Sequence, residues 1–463
     1  MRRAAFFFVR YHEGVCGIFA RESTELTENA ETESEADLGF WLRDRVRILF
    51  ALIYMGCAAG AAMPPSTANR GASALAPVVT GVPSGPAAEF YSSEEIARVT
   101  TEPLSDRLAA EVDAIRKRHG HSPILRDGRL DRVATDIALA TEAIRMPPRE
   151  AVAFLLSHYG LVEPESNVFL VNGDNGGEAA SLADLRAQLA RVSSPTWRRE
   201  GIGIFHKPGK WGAALVLQEK NFDLDPVPRG LASGGGSKIA GRMLPVFRSP
   251  VVLFTSPRGD VERIETSGKD DTFAARFDCN RGDGAYQVEI SGADARGPRV
   301  LANLPVYCGV APPAIFTDLA KPEVYSIDPA EAEAQLLEQL DLDRKTSGLP
   351  TLVRDPRLAK IARRHSREMA KQGEMAHFFR DTGSVIDRML AAGVSPPPTV
   401  IAENVSADRS AADAERGFMA SPGHRSNILN RALTHVGVGV AVGREEAGAV
   451  SLYFTQVFAG WGQ

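Results

Sequence analysis

Two stretches of this chain repeat one another at a constant offset. Arg116-Lys117-Arg118-His119-Gly120 with Ile124-Leu125-Arg126-Asp127-Gly128-Arg129-Leu130 is matched by Arg344-Lys345-Thr346-Ser347-Gly348 with Leu352-Val353-Arg354-Asp355-Pro356-Arg357-Leu358. Further on, Gly201-Ile202-Gly203-Ile204 is matched by Gly437-Val438-Gly439-Val440, and Leu217-Gln218 falls near Thr455-Gln456. A pattern carried twice implies two related folding units with something between them. With 463 residues, 44% of them apolar, the chain has material for several cores.

The first unit is read at 92–225, with helical patterns over Leu104 to Arg118 and Leu130 to Ile144 and strand-like runs near Gly201 to Phe205 and Ala213 to Leu217. Pro226-Val227-Pro228 and Ser233-Gly234-Gly235-Gly236-Ser237 make 226–242 a linker. From 243 to 310 the apolar period changes to two, in short runs such as Val251 to Thr255, Phe273 to Phe277 and Tyr286 to Ile290, which predicts a small β-sandwich. Cys279 and Cys308 each end a strand-like run, so either a disulfide or two buried thiols fits them. A linker at 311–325 leads to the second unit at 326–463. There Asp355-Pro356 supplies an N-cap and a first-position proline for a helix with Leu358, Ile361, Ala362, His365 and Met369 along one face. That stripe makes His365 a core histidine.

The N-terminal quarter has a different character. Residues 1–41 join an apolar patch, Phe6-Phe7-Phe8-Val9, to an acidic run with no packing pattern, as an extension upstream of the true start would. Arg43-Asp44-Arg45-Val46-Arg47 followed by Ile48 to Cys57 has the layout of an export signal, placed at 42–62, and is too short to favour a resident transmembrane helix. Cys57 is a candidate lipid anchor. Residues 63–91, rich in Ala, Pro, Gly and Ser, read as a linker.

Chemistry concentrates in Ser421-Pro422-Gly423-His424-Arg425-Ser426-Asn427-Ile428-Leu429 and in Ile401-Ala402-Glu403-Asn404-Val405. Ser421 is placed to cap a helix whose first position is Pro422, which puts His424 in the first turn, where a neutral imidazole is favoured. Glu403 lies in an apolar run and needs a partner, His377, His424 or backbone donors. The first unit has neither segment, and Arg149 stands at the offset position of His377. The 53 Lys plus Arg against 58 Asp plus Glu, net −5, give no electrostatic ground for nucleic-acid binding. No nucleophile elbow, Walker loop or dinucleotide fingerprint occurs in a fitting context.

On these motifs, with Ala402-Glu403-Asn404-Val405, Val436 to Val440 and Tyr453-Phe454-Thr455-Gln456-Val457-Phe458, residues 331–460 resemble the CAP superfamily (cysteine-rich secretory, antigen-five and pathogenesis-related proteins), in its bacterial SCP-like, YkwD-like branch. The resemblance implies an α+β fold, an α-β-α sandwich. With the repeat it implies two copies, the first, at about 100–220, degenerate, separated by the β module. In the eukaryotic branch a cleft holds two histidines and two glutamates. His377 and Glu403 fit one of each, but Tyr453 and Ser421 stand where the others would fall, and Phe418 replaces the usual tryptophan. The remaining constellation is His377, Glu403 and His424, with Tyr453 and Gln456 able to face the cleft.

Three functions follow as expectations. The first is an exported, envelope or extracellular module that binds a small or lipid-like ligand, or a protein partner, through that cleft. The second is a metal-assisted hydrolase, with a divalent metal such as zinc held by His377, His424 and Glu403. The third is a structural or adhesive surface protein.

Overall fold

The computed structural model describes residues 2–10, 80–81, 83–141, 147, 149–164, 166–174, 178–192, 195–269, 271–317, 326–446 and 449–461. The expected signal at 42–62 with Cys57, and residues 11–41 and 63–79, lie outside the described residues. The far end of the expected linker is fixed in place: Gly85 N donates to Tyr159 Oη at 3.1 Å and Ala88 N to His158 O at 2.8 Å.

In the N-terminal unit the order is α1 (Pro103–Arg118), β1 (Leu125–Arg126), α2 (Gly128–Thr141), α3 (Arg149–His158), β2 (Ser166–Asp174), α4 (Glu178–Val192), β3 (Trp197–Lys207) and β4 (Lys210–Glu219). Its strands form one sheet in the order β1-β3-β4-β2. Leu215 and Leu217 of β4 pack with Leu108 and Val112 of α1 and Leu185 of α4. The alternate residues Ala214 and Val216 pack with Leu130 and Val133 of α2 and Leu155 of α3. Strand alternation thus puts helices on both faces.

Two sheets follow, built from β5 (Phe222–Leu224), β6 (Gly230–Leu231), β7 (Gly236–Met243), β8 (Arg248–Thr255), β9 (Val261–Ile264), β10 (Thr272–Asp278), β11 (Gly284–Asp294) and β12 (Gly297–Cys308). One runs β6-β12-β11-β8-β9 and the other β10-β7-β5. A single core of Phe222, Ile239, Phe254, Phe273, Tyr286, Val288 and Leu304 lies between them. The segment expected as a linker at 226–242 is therefore largely sheet. The glycine run closes a tight turn, with Gly235 N donating to Ala232 O at 2.9 Å, and Ile239 and Met243 are buried in the strand beyond it. Cys279 and Cys308 are disulfide-bonded, with Cα atoms 5.9 Å apart.

The C-terminal unit runs α5 (Pro329–Thr346), β13 (Val353–Arg354), α6 (Pro356–Gln372), α7 (Val385–Ala391), β14 (Val400–Asp408), α8 (Ala411–Ala420), α9 (Pro422–Ile428), β15 (His435–Glu446) and β16 (Ala449–Gly460). Its sheet has the order β14-β16-β15-β13, and the strand Arg2–Arg10 pairs antiparallel on β14. Helix α6 starts where Asp355 accepts from the amides of Arg357 and Leu358, and it ends at Gly373 in the left-handed region (φ 66°). Leu358 and Ile361 of α6 and Val385 and Met389 of α7 cover Ile401 and Val457 on one face. Leu336 and Leu340 of α5, Phe418 of α8 and Ile428 of α9 cover Ala402, Phe454 and Phe458 on the other.

Helix α6 lies directly on the backbone of β15. A Cβ at Gly437 would sit 2.0 Å from Ala359 N, and one at Gly439 2.1 Å from Arg363 N. The two glycines therefore set the distance between helix and sheet. Gly439→Ala is expected to cost about 1–3 kcal/mol, the range for overpacking a close contact, as read by equilibrium urea denaturation. Replacing both Cys279 and Cys308 by alanine opens a loop with a sequence separation of 29. That change is expected to lower stability by about 3–4 kcal/mol in the same assay, on the loop-entropy scale.

Candidate functional site

The site grows out of the alternation of β14. Ile401, Glu403, Val405 and Ala407 face α6, whereas Val400, Ala402 and Asn404 face α8 and α9. Glu403 has no exposed surface, so its carboxylate must be met inside the protein. His377 Nδ1 donates to Glu403 Oε1 at 2.8 Å. Arg388, on the first turns of α7, donates from Nη2 to Oε2, and from Nη1 to Gly383 O at 2.7 Å and His377 O at 3.1 Å. His365 lies 3.8 Å from Oε1 and holds Ala376 O at 2.8 Å through Nε2.

Burial alone would raise the Glu403 carboxyl. The Arg388 charge and the His377 hydrogen bond override that and hold it down at about 2. Burial drives His365 the other way, down to about 3, so its imidazole is neutral. A carboxylate so stabilised is a weak base, and with both oxygens engaged it is neither a nucleophile nor an open metal ligand. Its chemistry is orientational: it fixes which His377 nitrogen carries the proton and where the ring points.

The next residue of the strand opens on a different network. Asn404 Nδ2 donates to Gln456 Oε1 at 2.9 Å and to His424 O at 3.3 Å, and Asn427 Nδ2 donates to Asn404 Oδ1 at 2.8 Å. Gln456 Nε2 donates to Glu415 Oε2 at 2.7 Å. Burial, followed by the neighbouring Asp343, pushes Glu415 well above the usual carboxylate range.

The expected constellation is accordingly divided. His377 and Glu403 meet, but the His424 ring packs on Phe418, 5.0 Å between centroids, on the α8 and α9 side. Gln456 belongs to the amide network on that side. Tyr453, three residues earlier and so on the opposite face, sits in a cluster with Met369, Met375 and Val405. A zinc ion shared by His377, Glu403 and His424 does not fit this arrangement, because Arg388 and His377 already fill the carboxylate. Among the described residues no group of three or more His, Cys, Asp or Glu could hold a metal ion. Ser421 occupies the N-cap position of α9 but makes no side-chain cap bond, because its hydroxyl turns to Glu289 of β11 instead.

Sequence reasoning missed Arg388 and the nearness of His365 to Glu403. The usable signal for Arg388 was the requirement that a carboxylate in an apolar strand find a cation.

Residues 337–458 match the Cysteine-rich secretory protein family, CAP, and form a CAP domain. Over 129 residues the chain is 33% identical to the uncharacterized protein YkwD of Bacillus subtilis (strain 168), covering 28% of this chain and 47% of that one. Over 110 residues it is 32% identical to the uncharacterized membrane protein YlbC of the same organism, covering 24% of this chain and 31% of that one. The chain thus spans about half the length of YkwD and about a third of YlbC. Among solved structures it is similar to an extracellular protein containing a SCP domain from Bacillus anthracis str. Ames, at 15% identity over 63% of this chain and 93% of that one, with a TM-score of 0.26.

Because Glu403 sits at about 2 in the folded chain against an ordinary 4.5, its stabilising contribution is complete above about 4.5 and is lost as pH falls towards 2. Glu403→Gln is expected to destabilise by on the order of 3 kcal/mol near neutrality, with the difference from wild type closing as the pH approaches 2. Urea denaturation of both proteins across that range checks this.

Proposed function

We propose that this protein is an exported binding module whose CAP domain takes a small apolar or lipid-like ligand beside His377. The observation that carries this reading is a cavity of about 270 Å³ lined by His377, Phe378, Ser384 and Val385 on the CAP side and by Asp294, Gly297 and Pro298 on the β11–β12 side. A fixed imidazole, with Ser384 and Asp294, set among Phe378, Val385 and Pro298 suits recognition of an amphipathic molecule with one polar end. The metal-assisted hydrolytic alternative needs a Glu403 carboxylate open to a metal or to a proton, and in the Arg388–Glu403–His377 network both of its oxygens are engaged.

Export is supported by the signal-like segment and by a formed disulfide, which persists in oxidising compartments. No helix among the described residues is long and apolar enough to cross a membrane. We also propose that the N-terminal unit is a degenerate second copy of the CAP fold, with the two-sheet unit as a separate module between the copies. Its support is the matching strand order and a matching close approach: a Cβ at Gly203 would sit 2.1 Å from Thr135 N of α2.

Calorimetric titration of the full chain with decanoate tests the ligand reading. Saturable binding is expected, and Ala295→Trp, at an exposed residue that also lines the cavity, is expected to fill it and abolish binding. Absence of binding, or equal binding by Ala295→Trp, contradicts the proposal.

A further inference from the structure

The two-sheet unit is seated on both limbs of the CAP domain. At one end, the turn between β11 and β12 lies on the segment that carries His377. Phe378 N donates to Arg296 O at 3.1 Å, Arg296 pairs with Glu374, and a Cβ at Gly297 would sit 3.1 Å from His377 Cβ. At the other end, α9 lies on the outer face of the five-stranded sheet. Glu289 of β11 accepts from the Ser421 hydroxyl and the Gly423 amide, Asn303 Nδ2 donates to Ala420 O at 3.2 Å, and Arg425 Nε donates to Gly259 O at 3.3 Å.

We infer that the β11–β12 hairpin is an intramolecular cover for the CAP cavity, and that Glu289 is the proton-operated latch that holds it down. The proposal concerns access to the cavity described above, but the covering contact stands whether or not that cavity takes a lipid-like molecule.

Glu289 projects away from the core of its own unit, since its neighbours Val288 and Ile290 point into that core. Among the described residues its surroundings carry no countercharge. Ser291 lies along the strand, Asn303 and Leu253 stand opposite on β12 and β8, and Ser421 and Gly423 come from α9. From α9, Arg425 is turned to Gly259 O and the His424 ring to Phe418, and no ion pair reaches Glu289 among the described residues. Burial is the largest influence on its carboxyl and pushes it up to about 7 against the hydrogen bonds of Ser421, Gly423 and Ser291.

The covered state holds the proton more tightly than the released state, so covering is strongest below about 4.5, weakens as the pH rises to about 7 and is flat above that. The corresponding change in the covering equilibrium is on the order of 10²-fold.

The test is amide hydrogen exchange on the full chain, expressed as protection factors so that intrinsic exchange rates cancel, with no ligand present. Protection of Phe378, which donates across the contact and is remote from Glu289 in sequence, is expected to fall on the order of 10²-fold between pH values of about 5 and 8, with Val438 in the sheet unchanged. Glu289→Gln is expected to keep Phe378 protected at both. Ser421→Ala removes a bond that lowers the carboxyl, so it is expected to move the transition to higher pH. Unchanged wild-type protection, or an equal loss in Glu289→Gln, overturns the latch. Failure of decanoate to bind overturns only the ligand reading, since this experiment uses no ligand.

Discussion

The carboxylate of Glu403 is the fixed point of the CAP domain. It is enclosed on a strand whose neighbours are all buried, so the fold is tolerable only if a full countercharge and well-placed donors meet it. Arg388 and His377 do so, and Arg388 and the neighbouring His365 are tied back to the 376–383 loop, Arg388 through Gly383 O and His377 O and His365 through Ala376 O. A single buried charge thereby shapes an irregular segment that has little regular secondary structure to hold it. The same arrangement removes the acid from chemistry, because a group stabilised as an anion by a neighbouring guanidinium gains little by taking a proton.

Strand alternation decides what else can join the site. Glu403 and Asn404 are adjacent in sequence but serve opposite layers, one bound to α6 and α7, the other to α8 and α9. This is why His377 and His424, both reasonable partners for Glu403 on residue type alone, end in different places. The helix Pro422–Ile428 contributes its histidine to the packing around Phe418 and its asparagine to the amide network.

Much of the C-terminal fold was legible residue by residue. Asp355-Pro356 marked the start of α6, the spacing of Leu358, Ile361, Ala362, His365 and Met369 gave its buried face, and the glycine pair at 437 and 439 marked a strand approached closely by a helix. Local signals of this kind survive folding because they act within a turn or a strand. The start of the two-sheet unit was legible only in part, because a glycine-rich stretch reads the same whether it tethers two domains or turns tightly between two strands. What sequence could not convey was contact between units. Nothing in Tyr286-Gln287-Val288-Glu289-Ile290 announces that its acid meets Ser421, and a serine before a proline is read as a helix cap until a carboxylate from elsewhere claims its hydroxyl.

Glu403 is a locked anion that orients His377 rather than a proton-transfer group. Carboxyl carbon-13 chemical shifts of Glu403, followed through an acid titration of the native protein, test it directly. No ionisation change is expected at or above the ordinary value of 4.5, and the midpoint is expected near 2. A midpoint raised above 4.5, the signature of a buried acid available for proton transfer, would contradict it.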